Sequence, residues 1–281
     1  MKAMYLITLM VVSILLLSCT VSIPTDQVQV SDTVTLPISE TLPDTSLPSE
    51  LKISMGGGKL DISGGAENWV EGNIEYNVPL WQPEVIRTGS KLEINQKLKA
   101  NINISDKVVN KWLLKLGQAP MDITINAGAY DSRLDLSGVP VTSLDISDGA
   151  SNTLVSFSEP NPVVMEKLHY KSGASNIEFK GLGNANFKEM RFEGGAGAFK
   201  FDFSGQLQQD AQIDIRGGAG SFVIIIPAET PVTVILGKTL GEVALEGTWS
   251  VNGQEYTASG NGPALEIEIN LSLGKVTLIK E

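Results

Sequence analysis

The stretch Leu144-Asp145-Ile146-Ser147-Asp148-Gly149-Ala150-Ser151-Asn152-Thr153-Leu154-Val155-Ser156-Phe157 decides the fold. Apolar and polar residues alternate before the Gly-Ala pair and again after it, the two-residue period of a β-strand with one buried face. The pattern recurs. Gly-Ala pairs stand at Gly128-Ala129, Gly149-Ala150, Gly173-Ala174, Gly195-Ala196 and Gly218-Ala219, spaced by 21, 24, 22 and 23 residues. Five residues before each glycine come Ile123, Leu144, Leu168, Met190 and Ile213; three before come Ile125, Ile146, Tyr170, Phe192 and Ile215. Between them lie the polar Thr124, Asp145, His169, Arg191 and Asp214. A second strand follows each pair, with Leu134/Leu136, Val155/Phe157, Phe179/Gly181, Phe201/Phe203 and Ile224/Ile226 in its inward columns.

An interval near 22 residues is too short for a β-α-β unit, which needs about 30 or more. It suits one turn of a stack in which each coil pairs in parallel with the last. The spacing therefore predicts an all-β fold, a single-stranded parallel β-solenoid with coils of about 22 residues and irregular antiparallel end caps. An antiparallel sandwich is the alternative. Gly128, Gly149, Gly173, Gly195 and Gly218 are expected at corners that need positive φ. Asp131, Asn152, Asn176 and Ser221, three residues after the glycines, are expected to form a polar ladder along one corner. In the outward columns, Lys171, Glu193 and Arg216 alternate in sign, His169 and Arg191 precede Asp214, Lys180 faces Asp202, and Glu178 faces Lys200. Stacked strands bring such residues about 4.8 Å apart, so alternation relieves repulsion.

The repeat frays at both ends. Leu51 to Gly56 matches a strand before a corner glycine, and Lys59 to Gly64 a strand after one. Trp69 to Gln96, with Pro79 and Pro83 flanking Trp81, breaks phase and reads as a small antiparallel cap, after which Trp112, Leu114 and Leu116 alternate again. Toward the C-terminus, Gly237 or Gly241 is a candidate corner, Val251-Asn252-Gly253-Gln254 a hairpin turn, and Leu265 to Leu278 a final alternating run.

Residues 1–18 carry one cation, Lys2, then an apolar run through Leu15-Leu16-Leu17, the length of an export signal rather than a membrane span. The run ends in Leu16-Leu17-Ser18-Cys19, which resembles the lipobox of bacterial lipoproteins. That resemblance implies cleavage before Cys19, the only cysteine, and its acylation. An uncleaved signal anchor is the alternative. Residues 19–50, rich in Pro, Thr, Ser and acids, read as a lipid anchor and disordered tether. Residues 51–120 are expected as an N-terminal cap and 121–281 as the repeat body with its C-terminal cap.

Met55-Gly56-Gly57-Gly58-Lys59-Leu60-Asp61-Ile62-Ser63-Gly64-Gly65-Ala66, with Glu71 to Asn77 and Trp81 to Val85, resembles the toast-rack N-terminal module. The later Gly-Ala coils are similar to the β-repeat region of the LiaF-like and putative-adhesin families. The resemblance spans residues 51–281 and implies an envelope protein tied to adhesion or envelope stress. It implies no catalytic residues.

Chemistry finds few footholds. His169, the only histidine, sits in an outward column and reads as a solvated surface residue; zinc sites draw on several His or Cys. Gly56-Gly57-Gly58-Lys59 lacks the Walker A spacing, and Gly149-Ala150-Ser151-Asn152-Thr153 lacks the last glycine of a nucleophile elbow. Asp61, Asp135, Asp145, Asp202 and Asp214 point outward, and a pair such as Asp135 and Asp145 could hold calcium. The net charge of −11 opposes nucleic-acid binding, which needs clustered Lys and Arg. The expected function is a non-enzymatic, lipid-anchored envelope module, without cofactor or metal, presenting a long β face to a protein or glycan. A carbohydrate-active β-helix of polysaccharide-lyase type is the alternative. A face of small polar ladders favours the first reading, and a groove with aromatics, calcium ligands and one Lys or Arg the second.

Overall fold

The computed structural model describes residues 30–43, 49–97, 107–237 and 241–281, all within one compact unit. The chain is all-β. Its strands are β1 (Val34–Glu40), β2 (Ser49–Gly64), β3 (Val70–Tyr76), β4 (Pro83–Thr88), β5 (Lys91–Gln96), β6 (Asn110–Leu116), β7 (Met121–Asp135) and β8 (Val141–Ser156). There follow β9 (Met165–Lys180), β10 (Phe187–Asp202), β11 (Ala211–Ile226), β12 (Val232–Leu236), β13 (Gly241–Glu246), β14 (Ser250–Asn252), β15 (Glu255–Ala258) and β16 (Leu265–Lys280). They form one mixed, open sheet of 16 strands. Among the described residues no helix is long and apolar enough to cross a membrane.

The long strands β2, β7, β8, β9, β10, β11 and β16 pair side by side in parallel. Their register follows the columns of the sequence. Ile123, Leu144, Leu168, Met190, Ile213 and Ile267 are successive partners, and so are Leu134, Val155, Phe179, Phe201, Ile224 and Leu278. All twelve are buried.

Each long strand changes phase at its turn, where β2, β7, β8, β9, β10 and β11 carry a glycine and β16 carries Ser272. In β8 the buried residues are Leu144 and Ile146, then Thr153 and Val155, with Gly149 and Ala150 both exposed between them. An odd step in a period-two pattern keeps both halves facing one core only if the strand turns there. Ladder pairing also skips the glycines: Ala127 faces Asp148 and Ala129 faces Ala150, with no bridge between Gly128 and Gly149. The expected reason for these glycines is corrected. None of the five lies in the left-handed φ region. They are needed because each stands over the carbonyl of the glycine before it, from Gly56 through Gly128, Gly149, Gly173 and Gly195 to Gly218, where a β-carbon would overlap backbone.

The two arms either side of this glycine line enclose the core with the connections between strands. Tyr170, Phe179, Phe192, Phe199, Phe201 and Phe222 pack there, with Phe179 and Phe201 stacked at 5.5 Å and Phe192 and Phe199 edge-on at 4.9 Å. Burying each such ring is worth about 1.5–3 kcal/mol.

Both ends of the parallel run finish in the same way, with one further row split into two strands. At one end β5 pairs with the first arm of β2 and β6 with its second arm, both in parallel. At the other, β12 and β13 pair in parallel with the two arms of β16. Antiparallel strands are added outside: β4 on β5, β3 and then β1 beyond β6, and β15 and then β14 beyond β12. The stretch Trp69 to Gln96, expected as a small antiparallel cap, pairs antiparallel through β3 and β4 but also contains β5 running parallel to β2, because Leu92 and Ile94 continue the inward columns. Beyond it Trp112 and Leu114 of β6 do the same, as their alternation led one to expect. Strand β2 is a full member of the run, in keeping with the match of Leu51–Gly56 and Lys59–Gly64 to the repeat. The expected hairpin is present between β14 and β15, with Gly253 at φ 63°.

The stretch expected as tether is corrected in part. Val34–Glu40 is a strand because Leu36 and Ile38 alternate and Ile38 reaches the core; Pro37 suits an edge strand. Residues 1–29 and 44–48, and with them the expected signal and Cys19, lie outside the described residues.

Candidate binding faces

The outward side chains of the second arm form two regular columns. The first runs Lys111, Lys59, Asp131, Asn152, Asn176, Ala198, Ser221, Lys275 and Glu242. The second includes Asp61, Arg133, Leu154, Glu178, Lys200 and Val223. Partners on adjacent strands lie about 4.8 Å apart, so each column is an evenly spaced row of mostly polar side chains, interrupted by Ala198 in the first and by Leu154 and Val223 in the second. An open groove of about 630 Å³ runs along these columns. Lys200 Nζ donates to Glu178 Oε1 at 3.1 Å, while Asn152 and Asn176 are exposed. The expected ladder of Asp131, Asn152, Asn176 and Ser221 is therefore assembled, with Ala198 interposed.

The outward face of the first arm is more highly charged. Its groove of about 820 Å³ is lined by Lys167, His169, Arg191, Glu193, Asp214 and Glu268, among others. His169 is not a freely solvated residue. Its side chain is 18% exposed, with Nδ1 3.0 Å from Asp145 Oδ2 and Nε2 3.7 Å from Glu193 Oε1. Arg191 Nε also reaches Glu193 at 2.7 Å, and Lys167 Nζ reaches Asp145 at 3.6 Å. Arg216 Nη2 lies 2.8 Å from Asp214, which raises the arginine further above its ordinary value through hydrogen bonding and charge. Among the described residues no Ser, Thr or Cys is hydrogen-bonded to His169, so a nucleophile–base pair is not assembled there.

The calcium pair of the sequence is not brought together. Asp135, at the end of β7, accepts from Ser137 N at 3.2 Å and from Ser137 Oγ at 2.5 Å, whereas Asp145 lies on the other arm with His169 and Lys167. Asp61, Asp202 and Asp214 stand on separate strands, and Asp202 accepts from Ser204 N at 2.8 Å. Among the described residues no cluster of three His, Cys, Asp or Glu is placed to hold a metal. Gly56 to Lys59 and Gly149 to Thr153 both lie inside long strands, not on phosphate- or nucleophile-bearing turns.

Two polar clusters lie outside the alternating columns. Asp148, inward at the turn of β8, accepts from Tyr170 Oη at 2.7 Å, Ser151 Oγ at 3.0 Å and Ser175 Oγ at 3.3 Å, and from Ser172 Oγ. Burial pushes the Tyr170 phenol well above its ordinary range, and nearby Tyr130 and Asp148 add to this; burial and Asp148 also raise Tyr130. On the connections, fully buried Asn161 donates Nδ2 to Val141 O at 2.8 Å and Ala185 O at 3.2 Å, while Oδ1 accepts from Val141 N and Val163 N. Asn184 and Asn186 make similar bonds one turn on. Their only sequence trace is the asparagines of two successive loops, Asn161 in one and Asn184 and Asn186 in the next.

In fold, the chain is similar to solved structures. One, described as a "putative cell adhesion protein" from Clostridium sporogenes ATCC 15579, is 20% identical, covers 89% of this chain and 99% of its own, and superposes with a TM-score of 0.50. A "putative adhesin" from Bacteroides fragilis NCTC 9343 is 12% identical, covering 90% and 100%, with a TM-score of 0.35. A "putative adhesin" from Parabacteroides merdae ATCC 43184 is 13% identical, covering 90% and 98%, at 0.39. No curated protein matches the sequence. The family model described as the N-terminal domain of toast_rack, DUF2154, matches residues 27–179, more than half the chain and across the boundary expected at residue 120. By that match, and with the glycine-rich strand β2 at its heart, this chain belongs to the toast_rack family.

Proposed function

We propose that this chain is a non-catalytic, adhesin-like binding module of the bacterial cell envelope, held at a membrane by a lipid on Cys19 and engaging a protein or glycan through the outward face of its second arm. The observation that carries the reading is the ladder of Asp131, Asn152, Asn176 and Ser221, held in register on the parallel strands β7, β8, β9 and β11 with Ala198 of β10 interposed. Exposed polar side chains spaced about 4.8 Å apart along an open groove, two of them the amides of Asn152 and Asn176, suit an extended ligand better than a small molecule, which would want an enclosed pocket. The parallel run is read as a β-solenoid of about 22-residue coils closed by split rows at each end. Neighbours described as adhesion proteins agree with a binding role. Residues 1–18 are the export signal in this reading, residues from Cys19 to β1 the tether, and the rest one continuous body.

A glycan and envelope-protein array probed with the full chain tests it. Binding to a restricted set of ligands is expected, lost when Asn152→Lys and Asn176→Lys are combined. Turnover of uronate polysaccharides in calcium would overturn the choice. Fatty-acid labelling lost in Cys19→Ser tests the anchor separately.

A further inference from the structure

The two ends of the parallel run differ in one respect. Each finishes in a split row, and three of the four strands in those rows carry a further antiparallel strand outside: β4 on β5, β3 on β6 and β15 on β12. The fourth, β13, pairs with β16 on one edge and with nothing on the other among the described residues. Its side chains record the vacancy. Leu245 continues the core column of Leu134, Val155, Phe179, Phe201, Ile224 and Leu278, yet it is 40% exposed while those six are buried. Val243, in the neighbouring inward column, is only half-buried.

The chemistry of the missing strand can be read from the other end. There β6 presents Lys111 and Lys115 outward, and the strand that covers it sets Glu75 and Glu71 opposite them. In β13 the outward residues four apart are Glu242 and Glu246. Glu242 faces Lys275 on its paired side, at 3.3 Å, so the column calls for a cation on the free side. The same two glutamates repel the β13 of a second copy, as charges on edge strands commonly do.

We propose that the free edge of β13 is a strand-docking site for a partner protein, which adds an extended segment with apolar residues facing Val243 and Leu245 and Lys or Arg residues, four apart, facing Glu242 and Glu246. Main-chain hydrogen bonds hold the segment, and the charge pattern selects it. The site is at the end of the sheet, where Glu242 continues the ladder column two strands beyond Ser221, and it is the open strand edge rather than the ladder face that it offers.

The heptapeptide Thr-Lys-Val-Thr-Val-Lys-Thr has this pattern in either strand direction and serves as the probe, with its two lysines replaced by glutamate as the control. Hydrogen exchange of the full chain is measured with each. The basic peptide should slow exchange of amides in residues 241–246 at least tenfold, and the acidic peptide should not. Combining Glu242→Lys with Glu246→Lys should reverse the preference, a gain that only a folded chain can show. No protection of this segment, equal protection by both peptides, or sedimentation showing two copies already joined through this edge would overturn the proposal.

Discussion

Gly173 lies directly over Gly149, so close that a β-carbon on Gly173 would fall well inside contact distance of the Gly149 carbonyl oxygen. The overlap is with backbone fixed by the ladder pairs on either side of it, Asp148 with Ser172 and Ala150 with Ala174, so neither residue can yield cheaply. Gly173→Ala is expected to cost more than the ~1–3 kcal/mol typical of overpacking. At Gly149 the corresponding carbonyl, that of Gly128, is 2.9 Å away, and Gly149→Ala should cost less. Gly253→Ala meets open space but must hold φ at 63°, a cost of about 1–2 kcal/mol. Urea unfolding midpoints should fall in that order.

Asn161 ties three consecutive turns together through its single amide. Asn161→Ala takes a donor from Val141 O and Ala185 O and an acceptor from the half-buried Val163 N, while Val141 N keeps Val139 O at 2.9 Å. Each such group costs about 1–3 kcal/mol, so a loss of at least ~3 kcal/mol is expected. Glu159→Ala, two residues away and exposed, should change stability by less than ~0.5 kcal/mol.

Tyr170 gives the fold a dependence on alkaline pH. Burial, then Tyr130 and Asp148, raise its phenol above the unfolded value of about 10. The folded state therefore binds this proton more tightly than the unfolded chain. Its contribution is complete below pH ~10 and is lost as pH rises through the folded value. Tyr130 acts in the same direction. Tyr170→Phe should flatten the fall in stability above pH ~10. At pH 7 it should lower stability by about 1.5–3 kcal/mol, the worth of a hydrogen bond to a carboxylate. Thermal unfolding from pH 7 to 11 would show both effects.

Much of this architecture was legible because it is periodic. Columns such as Ile123, Leu144, Leu168, Met190 and Ile213 are hydrogen-bonded register partners, since an inward residue out of step would lose its core contacts. The reason for the glycines was not legible: close approach and positive φ both select glycine, and only coordinates separate them. Strand β1 was obscured by Pro37 and acids around a short alternation. The split rows were hidden because β5, β6, β12 and β13 are not neighbours in sequence of the strands they extend. His169 looked free because a strand pattern shows which side a residue faces, but not that Asp145 and Glu193 come from strands on either side of it.

The register itself can be tested by exchanging charge across two turns. Glu178 and Lys200 are direct partners on β9 and β10, half exposed and 3.1 Å apart. Water screens such a pair, so its net worth is about 0.2–1 kcal/mol. Lys200→Glu puts like charges opposite each other and should lower stability by about 1 kcal/mol, more so at low salt. Adding Glu178→Lys restores an opposite pair and should recover most of the loss. Recovery in the double variant, measured by urea unfolding in low and high salt, requires the two side chains to be neighbours; independent losses that simply add would show that the strands are not paired in this register.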